Sequence, residues 1–178
     1  GATSDANGNG DPADDSTPTP VNFIESPEIG VAKALVGPAV NNGDGTYTVT
    51  YRIRLVNSGD VPVHAIQLID DLATTFTGAR VFAVDTVTGS GLTVNGLFDG
   101  ATNANLVSGT DVLAAGASAS VDVRVRVTPG TRLGPYANAV TARATSQAGT
   151  VLDDASTAGA NPDANGNGNP ADDSTPTS

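Results

Sequence analysis

The stretch TYTVTYRIRLVNSG, residues 46–59, decides the fold, because its apolar and polar residues alternate over the full length of a β-strand. A side-chain period of two places successive residues on opposite faces of a strand. One face collects large apolar side chains and the other collects threonines and arginines: Tyr47, Val49, Tyr51, Ile53 and Leu55 against Thr48, Thr50, Arg52 and Arg54. We therefore expect a strand with one face on a core and the other in water.

The stretch SASVDVRVRVTP, residues 118–129, repeats this alternation and is the clearest strand of all. Its inward positions are valines and its outward positions are charged: Val121, Val123, Val125 and Val127 against Asp122, Arg124 and Arg126. Residues 29–37, IGVAKALVG, are expected to open the sheet. Residues 136–146, YANAVTARATS, and the following TVLDDAS are expected to form the last one or two strands.

Shorter runs between these stretches predict further strands at residues 79–87, 92–98 and 104–109. Residues 63–72, VHAIQLIDDL, also alternate, but the pattern leaves two possible core faces: Val63, Ala65, Gln67 and Ile69, or His64, Ile66, Leu68 and Asp70. Roughly seven to nine strands, with turn residues between them and no helical window, indicate a two-sheet sandwich. The predicted fold is all-β and immunoglobulin-like, with extended acidic ends.

Composition narrows the functional classes. The chain has 178 residues, of which 38% are apolar, 21 are Gly and 11 are Pro, so we expect one folded body with much turn and linker. Cysteine is absent, which excludes disulfides and thiolate metal sites. The net charge of −11, with only 8 Lys and Arg, argues against a nucleic-acid partner. No apolar run is long enough for a membrane helix. The absence of Met and of a secretion signal indicates an internal or processed piece of a larger protein.

The two ends of the sequence are near-copies of each other. Residues 1–20, the N-terminal acidic segment, match residues 159–178, the C-terminal acidic segment, at 16 of 20 positions with a constant offset of 158. The offset predicts a tandem array, in which a sandwich at residues 21–158 is flanked by linkers and the C-terminal segment begins the next repeat. Because Asp, Asn, Gly, Ser, Thr and Pro bury little apolar surface, we expect these segments to be extended or disordered without a ligand.

Three stretches together resemble the domain-of-unknown-function-eleven family of bacterial surface repeats: DGTYTVTYRIRLVNSGDVPVHAIQLIDDL, LAAGASASVDVRVRV and YANAVTARAT. The resemblance extends over residues 29–157. It implies a Greek-key sandwich that is repeated in long secreted or cell-wall proteins acting as stalks, adhesins or matrix components. It implies no catalytic residues, and it names no ligand for the sandwich.

The acidic segments carry the sharpest chemical signal, DANGNGDPADD at residues 5–15 and DANGNGNPADD at residues 163–173. Calcium prefers oxygen ligands, and Asp and Asn oxygens at every second position, separated by small residues, suit it. The string begins like an EF-hand loop, but Ser16 replaces the bidentate Glu at the twelfth position and no helices flank it. The predicted calcium ligands are Asp5, Asn7, Asn9, Asp11, Asp14 and Asp15 in the first copy, and Asp163, Asn165, Asn167, Asn169, Asp172 and Asp173 in the second.

The alternative to a calcium site is a solvated acidic linker that is merely flexible. Calcium is favoured because both copies keep the same oxygen-bearing positions, and the change from Asp11 to Asn169 retains an oxygen donor. Four carboxylates that lie near the segments in sequence are weaker candidates for completing the coordination shell: Glu25, Glu28, Asp153 and Asp154.

Lys33, the only lysine, falls on the first predicted strand, and Asn138 lies near the last. Some surface sandwiches join such a pair by an isopeptide bond, with a nearby carboxylate assisting. The simpler interpretation, which the sequence alone favours, makes Lys33 a surface residue and Asn138 a hydrogen-bonding strand residue.

Catalysis has no support in the sequence. His64 is the single histidine and has no Cys partners, so a structural role is favoured over a ligand or a base. Asp70 and Asp71 are adjacent and would point to opposite faces of a strand, which makes a poor acid–base pair. No nucleophile elbow, phosphate-binding loop or zinc spacing occurs.

These features predict a non-enzymatic structural repeat of an extracellular bacterial adhesin or biofilm-matrix fibre, whose partners are neighbouring copies of itself. Calcium at the junctions is expected to stiffen or assemble the array. The alternative is a glycan- or protein-binding adhesin module with the linkers as passive spacers. Exposed loop aromatics would favour that alternative, but Phe76, Phe98 and Tyr136 lie in or beside apolar patterns typical of a core.

Overall fold

The computed structural model describes residues 5, 7–11 and 19–178. One helical turn, α1 (Leu72–Thr75), and a 3₁₀ turn at Pro170–Asp172 accompany the strands. No helix in this described part is long and apolar enough to cross a membrane. The strands of these residues are β1 (Ile29–Leu35), β2 (Val40–Asn41), β3 (Tyr47–Asn57), β4 (Val63–Ile69), β5 (Val81–Ser90), β6 (Ser118–Thr128), β7 (Thr141–Ser146), β8 (Val151–Ala155) and β9 (Thr157–Ala158).

The strands form two sheets. The first has the order β5-β6-β3-β1-β9, and the short strand β2 pairs with the first two residues of β3. The second has the order β4-β7-β8. An immunoglobulin constant-type sandwich places its first, second, fifth and fourth strands in one sheet and its third, sixth and seventh in the other. The seven long strands of this chain follow that arrangement, which confirms the prediction of an all-β, immunoglobulin-like fold.

The paired strands β3 and β6 form the centre of the core. Their register runs from Tyr47 opposite Val127 to Val56 opposite Ser118. Ile53 and Val123 are entirely buried, whereas the arginines that alternate with them are exposed or, at Arg54, partly exposed. The predicted alternation is therefore confirmed in β6 and from Tyr51 onward in β3, whereas at the start of β3 Thr48 is buried and Val49 is half-buried. Each buried aliphatic side chain contributes roughly 1.5–3 kcal/mol of transfer free energy.

Strand β4 contains a bulge, and the set of residues that faces the core changes at that point. Its register against β7 shifts between His64 and Gln67, and Ala65 takes a positive φ of 52°. An extra residue in one strand reverses which side chains point inward beyond it. Val63 is buried before the bulge, and Ile66, Leu68 and Asp70 are buried after it. Each of the two predicted faces is thus correct for part of the strand.

The strands predicted at residues 92–98 and 104–109 are wrong. These residues form loops that are connected only by isolated bridges, such as Val94 with Val107 and Ile69 with Asn105. The Asn95 side chain accepts a hydrogen bond from the Leu97 backbone N–H at 3.0 Å. Side-chain bonds of this kind satisfy the backbone locally and compete with strand pairing.

The C-terminal acidic segment folds against the sandwich, whereas its composition predicted an extended tether. Pro162 and Pro170 are buried over Gly30, where a larger side chain would collide with both proline rings. Thr177 and Asn138 exchange two backbone hydrogen bonds, of 2.7 and 2.9 Å. Residues 159–178 therefore pack along the side of the sandwich formed by β1 and the segment around Asn138.

Candidate functional site

The first candidate site is the loop at residues 163–173. The Asp163 carboxylate accepts hydrogen bonds from the backbone N–H groups of Gly166, at 2.8 Å, and Gly168, at 3.0 Å. The Asn165 side-chain oxygen accepts from the Asn167 backbone N–H at 2.9 Å. Gly166 and Gly168 have φ values of 72° and 86°, a region that favours glycine. The Asp-x-Asn-Gly-Asn-Gly string thus folds into a tight turn around its own aspartate.

The described part of the first copy has the same turn. Asp5 accepts hydrogen bonds from the backbone N–H groups of Gly8, at 2.8 Å, and Gly10, at 2.9 Å. The φ values of these glycines, 72° and 87°, nearly equal those of the second copy. Asn7 and Asn9 each accept a bond from the N–H two residues later, as Asn165 and Asn167 do. The predicted ligands Asp14 and Asp15 lie outside the described residues.

In the second copy the side chains converge on two carboxylates. The Asn165 amide donates to Asp172 at 3.0 Å and to Asp173 at 3.1 Å. The amides of Asn167 and Asn169 also donate to Asp172, at 2.8 and 3.4 Å. Together with Asp163, all six ligands predicted in residues 159–178 therefore lie in one loop.

The donor set of this loop suits a hard cation. Neutral amide N–H groups face Asp172 and Asp173, and a half-turn of an amide would present its oxygen instead. Within the described ranges, no three Asp, Glu, His or Cys side chains come together as a metal-ligand group. A calcium ion here would therefore need Asn and main-chain oxygens in addition to the carboxylates.

The weaker predicted ligands are mostly engaged elsewhere. Glu25 accepts hydrogen bonds from Ser146 and Ala148, both at 2.9 Å, and Asp153 pairs with Arg143 at 2.6 Å. Glu28 accepts a bond from the Ser58 hydroxyl.

Asp154 is the one of these four carboxylates that is both buried and electrostatically linked to the loop. Its Oδ2 accepts a bond from the Val31 backbone N–H at 2.6 Å. Burial raises the pKa of Asp154 to about 6, and the charges of Asp173 and Glu28 add to this increase.

The second candidate site is a polar cluster inside the sandwich. The Nζ atom of Lys33 lies 2.6 Å from Oδ2 of Asp70, and both side chains are completely buried. The same Nζ lies 4.7 Å from the centre of the Tyr51 ring. Asn138 is also completely buried. The simpler interpretation of Lys33 as a surface residue is therefore wrong.

Burial sets the protonation of this cluster. It lowers the pKa of Lys33 to about 8, and the neighbouring Asp70 opposes that change. Burial also raises the pKa of Asp70, with Lys33 opposing. Burial raises the pKa of Tyr51 to about 12, and the side chain of Asn138 opposes the increase in both Tyr51 and Asp70. Thr177 links Asn138 to Lys33, because it pairs with the Asn138 backbone and its hydroxyl donates to the carbonyl of Lys33.

Local structure holds each member of the cluster in position. The bulge in β4 turns Asp70 inward, and the next residue, Asp71, caps α1 by accepting the Thr74 N–H at 2.9 Å. The Thr75 hydroxyl of that helix donates to Oδ1 of Asn138 at 2.9 Å. Asp71 is exposed whereas Asp70 is buried, so the two carboxylates do not form a pair, although neither lies in a strand as the sequence predicted. His64 is likewise exposed.

The sequence reasoning missed the part that Asp70 plays in this cluster. One signal was available, since Lys33 continues the alternation of Ile29 and Val31 and therefore occupies a core position of β1.

Comparisons with known proteins show a likeness to solved structures at low sequence identity. No protein-family model and no curated protein matches the chain. An inactive mutant of the GH20 exo-β-N-acetylglucosaminidase of Vibrio harveyi matches 74% of this chain and 18% of its own, at 14% identity and a TM-score of 0.43. The N-terminal domain of PorA matches 74% of this chain and 97% of its own, at 8% identity and a TM-score of 0.31. This chain thus spans less than a fifth of the glycosidase, and neither similarity is close enough to indicate a function.

Proposed function

We propose that the chain is a structural repeat of an extracellular bacterial adhesin or biofilm-matrix fibre, in which the acidic segments bind calcium where neighbouring sandwiches join. The observation that carries this proposal is the convergence of three Asn amides on the carboxylates of Asp172 and Asp173. The same turn recurs in residues 5–11, so the loop geometry is encoded twice. A passive spacer has no need for duplicated oxygen positions in a defined loop.

The docking of the C-terminal segment supports a role at the junction. The loop follows Pro162 and contains Pro170, and both prolines are buried against Gly30 of β1. A cation held in this loop stabilises the docked arrangement by mass action, since it binds the folded segment and not the unfolded one. Calcium therefore acts on the part of the chain that leads from one sandwich to the next.

The two ends of the sandwich are complementary in their apolar surfaces. Glu28 and Ser26 lie at the end of β3 near Asp60, and the apolar residues just before them are exposed. The opposite end, where Tyr47 pairs with Val127, has an apolar cavity. The exposed side chains are Val21, Phe23 and Ile24, and the cavity is lined by Val49, Phe76, Leu133 and Tyr136, among others.

The repeat offset supports a contact between these two surfaces in a tandem array. In an array with a period of 158 residues, the counterpart of Val21 follows Ser178. Thr177 is paired with Asn138, two residues beyond Tyr136 of the cavity. The exposed apolar side chains of the following repeat thus emerge beside the cavity of the preceding one, and burying them there gives a head-to-tail contact.

Calorimetric titration with calcium chloride tests the metal site. The chain should take up calcium at concentrations of about 1 mM or below, as extracellular calcium modules do. The double variant Asp5→Asn, Asp163→Asn should bind at least tenfold more weakly. The matched control Asp44→Asn, which changes an exposed aspartate in an Asn-Gly turn outside the acidic segments, should bind like the unchanged chain. Absence of uptake in the unchanged chain would reject the calcium site.

Limited proteolysis tests the consequence for the junction. Cleavage within the acidic segments should be slower in calcium than in a chelator, because the ion holds the loop in its docked form. Equal cleavage rates in the two conditions would mean that the metal has no part in stiffening the junction.

A further inference from the structure

The buried cluster of Lys33, Asp70 and Asn138 has no part in the calcium proposal. Burying an ammonium and a carboxylate is expensive, and well-packed apolar residues of similar volume are often as stabilising. Lys33 is nevertheless the only lysine of the chain, and its side chain is completely enclosed. A buried ion pair is therefore weak evidence for a purely stabilising role, and its two groups are candidates for chemistry.

The polar atoms that lack partners indicate which chemistry is in place. Within the described chain, Oδ1 of Asp70 and Nδ2 of Asn138 are buried and accept or donate no hydrogen bond. Leaving such an atom unpaired costs about 1–3 kcal/mol. These two atoms are the proton carrier and the leaving group that a reaction between the Lys33 amine and the Asn138 amide would use.

We propose that Lys33 and Asn138 are joined by an intramolecular isopeptide bond, with Asp70 transferring the protons. The contacts that carry the proposal are the 2.6 Å approach of Nζ to Asp70 and the enclosure of all three side chains in one part of the core. Thr177 brings the two reacting residues together, because it pairs with the backbone of Asn138 while its hydroxyl donates to the carbonyl of Lys33.

The reaction balances without an external reagent. Lys33 Nζ passes a proton to Asp70 and attacks Cγ of Asn138 as a neutral amine, forming the new C–N bond. Asp70 takes the second Nζ proton as it delivers the first to Nδ2 of Asn138. The Cγ–Nδ2 bond then breaks and ammonia leaves, so one amide is exchanged for another with no oxidation or reduction. At the end of the reaction Asp70 carries one proton, as it did when the Lys33 amine attacked.

The surroundings favour each part of this step. Burial lowers the pKa of Lys33 to about 8 and raises that of Asp70, so the proton moves readily from the ammonium to the carboxylate. The Thr75 hydroxyl, at 2.9 Å from Oδ1 of Asn138, stabilises the negative charge that develops on that oxygen. Enclosure in an apolar core keeps water from competing as the nucleophile.

The bond would tie the two sheets together. Lys33 lies on β1 of the first sheet, and Asn138 precedes β7 of the second. A link between them closes a loop of 106 residues, from 33 to 138, which lowers the entropy of the unfolded chain. Under tension applied along an array, the residues inside that loop carry no load.

Intact mass under denaturing conditions tests the proposal directly. The chain should be lighter than its sequence by one ammonia, and a digest should give a branched peptide that joins Lys33 to Asn138. Asn-Gly steps also lose ammonia when they form succinimides. Hydroxylamine cleaves the chain at a succinimide but leaves an isopeptide bond intact, so the two sources of the mass deficit can be distinguished. A folded chain of full sequence mass, or one without the branched peptide, would overturn the proposal.

Variants separate the reacting groups from their surroundings. Asp70→Asn and Lys33→Met should both restore the full mass. The matched control Asp154→Asn changes the other buried aspartate and should keep the deficit. A deficit that persists in Lys33→Met would also overturn the proposal. The measurements are made in a chelator, so their outcome does not depend on calcium, and the unchanged chain remains decisive even if a variant fails to fold.

Discussion

Two ion pairs of this molecule have the same length and opposite environments. Lys33 and Asp70 are 2.6 Å apart and completely buried, whereas Arg143 and Asp153 are 2.6 Å apart with about half of each side chain exposed. Exposed pairs contribute about 0.2–1 kcal/mol, because water and salt screen them. A buried pair is expensive to form and more expensive to break. Distance alone therefore says little about what an ion pair does, and burial identifies the pair with a role beyond solubility.

Breaking the buried pair from its acidic side should have the largest effect. Asp70→Ala prevents the proposed Lys33–Asn138 bond and leaves the Lys33 ammonium without a partner in the core, so the free energy of unfolding should fall by at least about 3–5 kcal/mol. Urea unfolding followed by circular dichroism measures the change. A loss below that expected for an exposed pair would mean that water reaches Lys33.

Breaking the pair from its basic side should cost less, because an isolated Asp70 can become neutral by taking up a proton. In Lys33→Met the pKa of Asp70 stays raised by burial. The folded chain then holds a proton that the unfolded chain releases, so stability is greatest below the ordinary pKa of aspartate and falls as pH rises. Unfolding measured from pH 3 to pH 8 should slope downward in this variant, and a flat profile would contradict the neutral aspartate.

Asp154 should give a second, smaller pH effect. Its pKa is raised to about 6 from 3.8, so its contribution is fully present below pH 3.8 and is lost as pH rises to about 6. Asp154→Asn removes this penalty and should stabilise the chain at pH 7 by roughly 1–3 kcal/mol, with little change at pH 3. Parallel unfolding curves at the two pH values provide the comparison, and equal effects at both would exclude Asp154 as the titrating group.

The exposed pairs should respond least. Arg52 forms two hydrogen bonds with Asp122, of 2.8 and 2.7 Å, yet just over half of its side chain is in water. Arg52→Ala should change the free energy of unfolding by less than about 1 kcal/mol, and salt at 1 M should reduce even that difference. A larger loss would show that the arginine stem packs on the sheet.

The sequence predicts the central strands well because their periodicity is a local property. The alternation in β3 and β6 needs no knowledge of distant residues. The core face of β4 was ambiguous because the bulge at Ala65 is set by pairing with β7, which lies far along the chain. Asp70 became a core residue through that bulge, so its meeting with Lys33 could not be read from local spacing.

The acidic segments illustrate a different limit. Their turns follow from the Asp, Asn and Gly spacing, and the predicted ligands of the second copy do lie in one loop. Their composition gave no sign of docking, because the contacts depend on single residues such as Pro170 over Gly30. Average polarity describes how much surface a segment can bury, and it does not reveal where two prolines fit.

The contacts of Thr177 determine where one folded repeat ends and the next begins. Although it belongs to the duplicated segment, it pairs with the backbone of Asn138, and its hydroxyl donates to the carbonyl of Lys33. A piece that stopped at Ala158 would leave both groups facing water. The boundary of the folded unit therefore differs from the boundary that the duplicated segments suggest. We expect the smallest independently folding unit to run from residue 21 to residue 178.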